Sequence, residues 1–433
     1  MGKLKDMQID ASVAFEVNKK YYENNDEIPF LTQAKDNPRY VDALTFFLYK
    51  ILFDDASNRK DRTIRVVELG ARGIYFEEKV YSNIKNLDII NNTNIAENIE
   101  YKIVDISPVA IKAAREEYKN KSHNLFTTEF YVADVLNKEA LSSVGGNNYI
   151  VILNELIDDL PQMVVTRKGD AYYEVLYKPV LDLNYGQIRL ARNGLRKLSD
   201  EEAKMFADYE GMLSYGKLAE GYAITFSPVL DKLIENISML LSSEGKIFIH
   251  DYFIDRPIPL KFAHTIRRIY GYLRPEALYY NIENSKIQIT ADVNLPQLAI
   301  ALKQKGFDAQ AIPHRFFINE YIRIKELSWS EIAASLNATP KEEKRMLLER
   351  ISKHIPVNTN APDINRELFE ALKSVFRKIE LQGPHFYAPD VDCRIDIIED
   401  KDKRNALNEL YKLCRKNYPI ISQYADVYAS RRK

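Results

Sequence analysis

Apolar residues along the first three hundred positions alternate between two spacings. Short β-branched runs, TIRVVELG (63–70), YKIVDISP (101–108), TEFYVADV (128–135) and NYIVILNE (148–155), read as strands. Between them the spacing changes to three and four. Val41, Leu44, Phe47, Leu48, Ile51 and Leu52 predict a helix over 37–53, and further helices are expected from Tyr75 to about Leu87 and from Pro108 onward. Ser107 is placed to cap the last of these, and Pro108 to take its first position, where a missing N–H costs nothing. Strands alternating with helices of this length mean parallel βαβ units, an α/β fold with both sheet faces covered. Ligands of such sheets bind beyond the carboxyl ends of the strands, an edge that collects Gly70, Asp105, Asp134 and Asn154.

The rhythm breaks over 162–220. VVTRKGDAYYEVLY predicts a hairpin turning at Lys168-Gly169-Asp170, and SDEEAKMFADYEGMLSYG an amphipathic helix. Alternation resumes with a helix over 227–243, a strand over 245–253, a helix over 288–307 and a last strand over 315–322. From about Lys325 onward the pattern predicts helices only, one of them opening on a Thr339-Pro340-x-Glu342 capping box. The organisation expected is an N-terminal helical and loop segment (1–60), an α/β domain (61–324) with an insertion at 162–220, and a C-terminal helical extension (325–433). Residues 399–433 carry a net charge of +4 and read as a solvated tail or a docking surface.

Over 433 residues, 61 Lys and Arg face 62 Asp and Glu. A net charge of −1 argues against a general nucleic-acid binder. No stretch approaches the ~18 consecutive apolar residues of a membrane span. An N-terminus without an apolar segment, and two cysteines, Cys393 and Cys414, point to a reducing cytoplasm. Six histidines show no H-x-x-x-H spacing and no neighbouring cysteine, so no metal site is expected. Glycine, 15 of 433, is about half as common as usual, so each one in a motif is informative.

Two motifs carry chemistry. VVEL runs into Gly70-Ala71-Arg72-Gly73, a turn whose backbone N–H groups can face a ligand that the glycines let come close. Asp105, ending the next strand, is placed to accept hydrogen bonds from both hydroxyls of a ribose. Together they suggest an adenosine-containing cofactor, while the missing G-x-G-x-x-G argues against a dinucleotide. The second motif is ILNELIDDLP (152–161). If 155–159 forms a helical turn, Glu155 and Asp158 share one face, and two carboxylates at a strand end suit a cationic or proton-releasing nucleophile. A solvated acidic helix start would use the same residues.

The sequence resembles the MidA-like family of S-adenosylmethionine-dependent methyltransferases, which includes a mitochondrial complex I assembly factor that methylates an arginine. The family's Asn-Glu-x-x-Asp-Ala-Leu-Pro looks like residues 154–161, with Asp159 in the alanine place. Its Glu-x-Gly-x-Gly-x-Gly loop looks like Glu68 to Gly73, and its acidic residue before Ser-Pro like Asp105. Tyr21-Tyr22, Phe30-Leu31-Thr32, Tyr173-Glu174, His250-Asp251-Tyr252 and Ile289 to Asn294 match weaker segments in the family's order. The resemblance covers roughly 20–322. Departures are a loop one residue short with Arg72 in a glycine place, Phe253 for a glycine, and Gln288 for the aspartate before Ile-Thr.

The resemblance implies a Rossmann-like sheet, S-adenosyl-L-methionine as cofactor and a protein side chain, arginine first, as acceptor. Glu155 and Asp158 would be catalytic. Glu68, Gly70, Arg72, Gly73, Asp105, Asp134 and Asn154 would bind the cofactor, Asp105 at the ribose and Asp134 at the adenine amine. The insertion, with Arg189, Arg192, Arg196 and Lys197, would form part of the acceptor groove or simply an exposed charged face. By analogy the partner would be a respiratory-complex subunit, met by a monomer or homodimer. A small-molecule methyltransferase and a catalytically silent assembly protein are the other readings the motifs allow.

Overall fold

The computed structural model describes residues 8–24, 38–56, 63–121, 126–182, 187–213, 216–271, 287–314 and 423–431. Two helices, α1 (Ala11–Asn24) and α2 (Pro38–Ala56), precede β1 (Ile64–Leu69). Strand and helix then alternate as the spacing predicts: α3 (Tyr75–Asn91), β2 (Ile99–Asp105), α4 (Pro108–Lys121), β3 (Thr127–Val132), α5 (Lys138–Ser142) and β4 (Asn148–Asn154). Ser107 caps α4, its hydroxyl accepting the Ala110 N–H at 3.1 Å. There follow β5 (Met163–Lys168), β6 (Ala171–Asp182), β7 (Gln187–Lys197), α6 (Asp200–Glu210) and β8 (Tyr222–Phe226). The chain continues through α7 (Leu230–Leu240), β9 (Leu241–Ile254), β10 (Ile258–Pro259), β11 (Arg267–Gly271), β12 (Ile287–Ala291), β13 (Val293–Asn294), α8 (Leu295–Gln304), β14 (Phe307–Pro313) and β15 (Gln423–Arg431).

The main sheet runs β14-β15-β9-β4-β1-β2-β3, with β13 added beside β9. Pairing is parallel from β3 to β9, and β15 alone runs antiparallel to both its neighbours. Because side chains alternate along a strand, Ile64 and Val66 face one layer with Tyr40, Leu44 and Leu48 of α2 and Val80 and Ile84 of α3. Val67 and Leu69 face the other, with Leu233, Ile234 and Ile237 of α7 and Leu298 and Leu302 of α8. The topology reverses at β1: β2 and β3 extend one way, β4 and β9 the other. A crevice therefore opens at the carboxyl ends of β1 and β4.

The segment expected to break the rhythm builds a second, antiparallel sheet, β10-β8-β5-β6-β7. Its first hairpin turns where the sequence places it, Lys168 pairing with Ala171. Helix α6 opens on a full capping box, Ser199 with Glu202. Among the described residues no helix is long and apolar enough to cross a membrane.

Two expectations are corrected, and a third is not reached. The helix predicted over 288–307 begins only at Leu295, where Asn294 accepts the Gln297 N–H and Pro296 sits in the first turn; the residues before it, rich in β-branched side chains, pair as β12 with β11. The strand expected over 315–322 lies outside the described residues, and the strand observed is β14. The C-terminal stretch is not helical throughout, nor is it all solvated tail. Residues 423–431 form β15 inside the main sheet, with Val427 and Ala429 buried in the layer of α7 and α8. Pooling their charge with that of the preceding segment hid a short apolar alternation.

Helix α1 is latched across the sheet by polar side chains. Asn18 exchanges hydrogen bonds with the Ile289 backbone at 2.7 and 2.8 Å and donates to Asp159 Oδ1 at 3.2 Å. Asp159 also accepts from the Tyr22 hydroxyl and from Gln288 Nε2, the latter at 2.5 and 2.7 Å. Asp159 and Gln288 are two of the positions where the sequence departs from the resembled pattern, and here they are each other's partners.

Two outcomes follow from this packing. A chain ended before Gln423 leaves the facing edges of β9 and β14 unpaired, so it should aggregate on size-exclusion chromatography where the full chain elutes as a discrete species. Gln288→Asp alone should cost about 3 kcal/mol in chemical unfolding, by setting a second buried carboxylate against Asp159. Adding Asp159→Ala to it should recover most of that loss, a coupling that independent sites would not show.

Candidate active site

Strand β1 ends at Leu69 and the chain turns through Gly70, whose φ of +76° favours glycine. A side chain there would also meet Leu156, at 3.0 Å. The Gly70 N–H returns to the Val104 carbonyl at 2.8 Å, and the Arg72 N–H donates to Asp105 Oδ2 at 3.1 Å. Asp105 Oδ1 takes the Ser107 N–H at 2.7 Å, so this buried carboxylate ties the turn after β1 to the turn after β2. Burial pushes its pKa up, against the pull of those N–H donors and of Arg72. Arg72 itself has φ +40°, and its guanidinium lies over the rings of Tyr22 and Tyr21, 4.7 and 5.8 Å from their centroids. The space where a Gly73 side chain would stand is open. Asp134, half-buried after β3, accepts the Leu136 N–H at 2.8 Å.

Glu68 and Asn154 meet under α2. Asn154 accepts from the Tyr40 hydroxyl at 2.6 Å and donates to Glu68 Oε1 at 3.4 Å, and Glu68 Oε2 accepts from the Tyr101 hydroxyl at 2.8 Å. Burial raises the Glu68 pKa to about 7. Glu68, expected among the cofactor-binding residues, lies with its side chain against Tyr101 and Asn154.

The acidic motif closes the same edge. Glu155 leaves β4 with φ +48°, a left-handed conformation that a non-glycine residue adopts at a cost of about 1–3 kcal/mol, and its N–H donates to the His250 carbonyl at 2.7 Å. It therefore precedes the helical turn, and the shared helix face expected for Glu155 and Asp158 does not form. The turn is a single 3₁₀ loop, Ile157–Asp159, with both aspartates buried. Asp251 Oδ2 accepts the N–H groups of Ile157 and Asp158 at 2.8 and 3.3 Å, while its other oxygen takes the Tyr252 N–H. Asp158 Oδ1, buried, has no hydrogen-bond partner among the described residues.

Carboxyls packed this closely raise one another's pKa values. Burial raises Asp159 and Asp251 to about 7, and Glu155 adds to both shifts. Asp158 is pushed well above the usual carboxylate range by burial and by Asp251, Asp159 and Glu155, with Arg268 opposing. Arg268 is itself ion-paired with Asp292 and lies over the Tyr252 ring.

The fold thus gathers Gly70, Arg72, Gly73 and Asp105 at one turn, with Glu68 behind Asn154, and joins them through Asn154 to Glu155 and Asp158; Asp134 stands at the next strand end. Arg196 is committed to Glu174 and Glu202 within the second sheet, while Arg189 and Arg192 are exposed on β7. Sequence reasoning missed Asp251, Tyr22 and Tyr40 as parts of this edge. Asp251 sits near the carboxyl end of a predicted buried strand, the same signal that marked Asp105 and Asn154.

An adenosyl group fits this edge: a glycine turn with open space over Gly73, and carboxylates at the end of β2 and just past β3. A protein from Burkholderia thailandensis shares the fold, with a TM-score of 0.50 at 15% identity over 98% of this chain and 87% of that one. A superfamily member from the same organism, solved with S-adenosyl-homocysteine bound, matches at 0.47 and 15% identity over 93% of this chain and 79% of its own. No curated protein matches the chain. The sequence profile of the family described as "Putative S-adenosyl-L-methionine-dependent methyltransferase" matches residues 53–312, which takes in the sheet from β1 to β14 and the glycine and acidic motifs. With well over half its length so matched, the chain belongs to this family of S-adenosyl-L-methionine-dependent methyltransferases.

Proposed function

We propose that the acceptor is a cationic nitrogen on a protein side chain, arginine before others. One observation carries the reading: the buried Asp158 carboxyl, with an oxygen that meets no donor among the described residues, grouped with Glu155, Asp159 and Asp251. A guanidinium supplies the planar, paired N–H donors such a group lacks.

The chemistry then follows from the carboxyls' own state. The cofactor supplies an electrophilic methyl on a sulfonium, and the protein's task is to orient the acceptor and exclude water. An arginine keeps its proton to a pKa above ~12, so that proton must leave as the methyl arrives. An entering cation lowers the raised pKa values of the cluster, so the carboxyls that bind it become the base that deprotonates it. Asp158 takes that role here, with Glu155 orienting the guanidinium. At the cofactor, Asp105 meets the ribose and Asp134 the adenine amine, while Gly70 and Gly73 admit the close approach. Arg72 faces the cofactor carboxylate. Glu68 acts through Asn154, and is a positioning residue.

Calorimetric titration should give micromolar binding of S-adenosyl-L-methionine, weakened at least about tenfold in Asp105→Ala. Wild-type binding absent altogether would return the silent assembly reading. With radiolabelled cofactor and lysate, label should enter protein and survive as methylarginine on hydrolysis; label confined to the small-molecule fraction would overturn the acceptor proposed. Asp158→Asn should lower turnover about 10²- to 10⁴-fold with cofactor affinity kept. Turnover should rise with pH through about 7, where Asp159 and Asp251 ionise. Folding stability should move the other way. These carboxyls bind protons in the folded chain that the unfolded chain releases near pH 4, so stability declines from there until pH passes about 7.

A further inference from the structure

Three ionisable side chains from distant parts of the chain meet inside the main sheet, beside the acidic turn. His250 on β9 and Asp426 on β15 are cross-strand partners, and His314 follows β14. The Nδ1 of His250 stands 2.9 Å from Asp426 Oδ1, and the Nδ1 of His314 stands 3.1 Å from Asp426 Oδ2. One donor atom from each of the three lies within 4.8 Å of the other two. All three residues are buried, at 0%, 0% and 1% exposure. The Tyr40 ring packs on both imidazoles, its centroid 4.4 and 5.2 Å from theirs.

We propose that His250, His314 and Asp426 hold a divalent first-row transition-metal ion that clips β15 into the sheet. Two imidazoles and a carboxylate form a mixed nitrogen and oxygen donor set of the kind zinc and its neighbours take. Metal bonds of about 2.0–2.2 Å place adjacent donors about 3 Å apart, and the two imidazole-to-carboxylate distances, 2.9 and 3.1 Å, are of that size. The surroundings favour added positive charge, since Glu68 and Glu155 join Asp426 in acting on Tyr40, and Asp251 is the next residue to His250.

The position in the chain gives the clip a purpose. His314 and Asp426 are 112 residues apart, and the second must return to lie between β14 and β9. Closing so long a loop costs chain entropy, and a metal bridging its two ends offsets that cost where it is largest. The ion also bears on the active edge without touching substrate, because the His250 carbonyl holds Glu155 and Tyr40 holds Asn154.

The full chain, dialysed against zinc and then against metal-free buffer, should retain about one zinc ion per molecule by mass spectrometry of the elements. Replacement by cobalt(II) should give visible d–d absorption. Chelator should lower the melting temperature, and zinc should restore it. In His314→Gln and Asp426→Asn, retained zinc should drop at least tenfold. A wild-type chain that keeps less than a tenth of an ion, with a melting temperature indifferent to both chelator and zinc, would overturn the proposal and leave Asp426 as a carboxylate hydrogen-bonded by two imidazoles. That reading needs no variant to fold, and it uses neither cofactor nor acceptor.

Discussion

Strand β9 is gripped from both sides, in parallel by β4 and in antiparallel by β15, and its carboxyl end is where the two halves of the active edge are fastened. The carbonyl of His250 fixes the strained Glu155, and the carboxylate of Asp251 gathers the N–H groups of the turn that carries Asp158 and Asp159. A turn made of acidic residues in the interior would repel itself open. It is kept shut by backbone donors aimed at one neighbouring carboxylate, which in turn must hold its place in a strand that cannot slide.

This arrangement explains why the site's carboxyls are so poorly neutralised. Asp105, Asp158, Asp159 and Asp251 are all buried, and Arg268 is already shared with Asp292. Much of what they accept comes from backbone N–H groups and amide side chains, which orient the carboxyls without supplying a positive charge, so burial keeps their pKa values raised. The result is an edge whose carboxyls would be stabilised in their charged form by a cation. A methyl donor bearing a sulfonium meets that demand.

Much of this was legible in the sequence. The periodicity located β1 to β4 and the helices after β1 and β2, because short strands leave β-branched runs, buried on both faces in β1, β2 and β4; the five-residue α5 is too short to show a period. The glycine turn and the acidic motif were legible for the same reason, standing directly after such runs. What stayed hidden depends on residues that only the fold brings together. Asp159 and Gln288 looked like two separate losses from a family pattern, and are one carboxylate and its donor, 129 positions apart. His250, His314 and Asp426 obey no local spacing, since each comes from a different strand or strand end. The long helix expected over 288–307 failed because its apolar positions suit either period, and pairing with β11 settled the choice for β12.

The place of β15 has a consequence for how the protein is made. A ribosome delivers the chain from its amino end, and β1 to β4, β9 and β14 all emerge before 423–431 have been translated. The nascent sheet must therefore wait with an open slot between β9 and β14 while more than a hundred further residues are added. Until the slot is filled His250 lacks its carboxylate and β9 is held on one side only, so the strand that anchors Glu155 and the acidic turn is clamped only after the other strands of the sheet have been made.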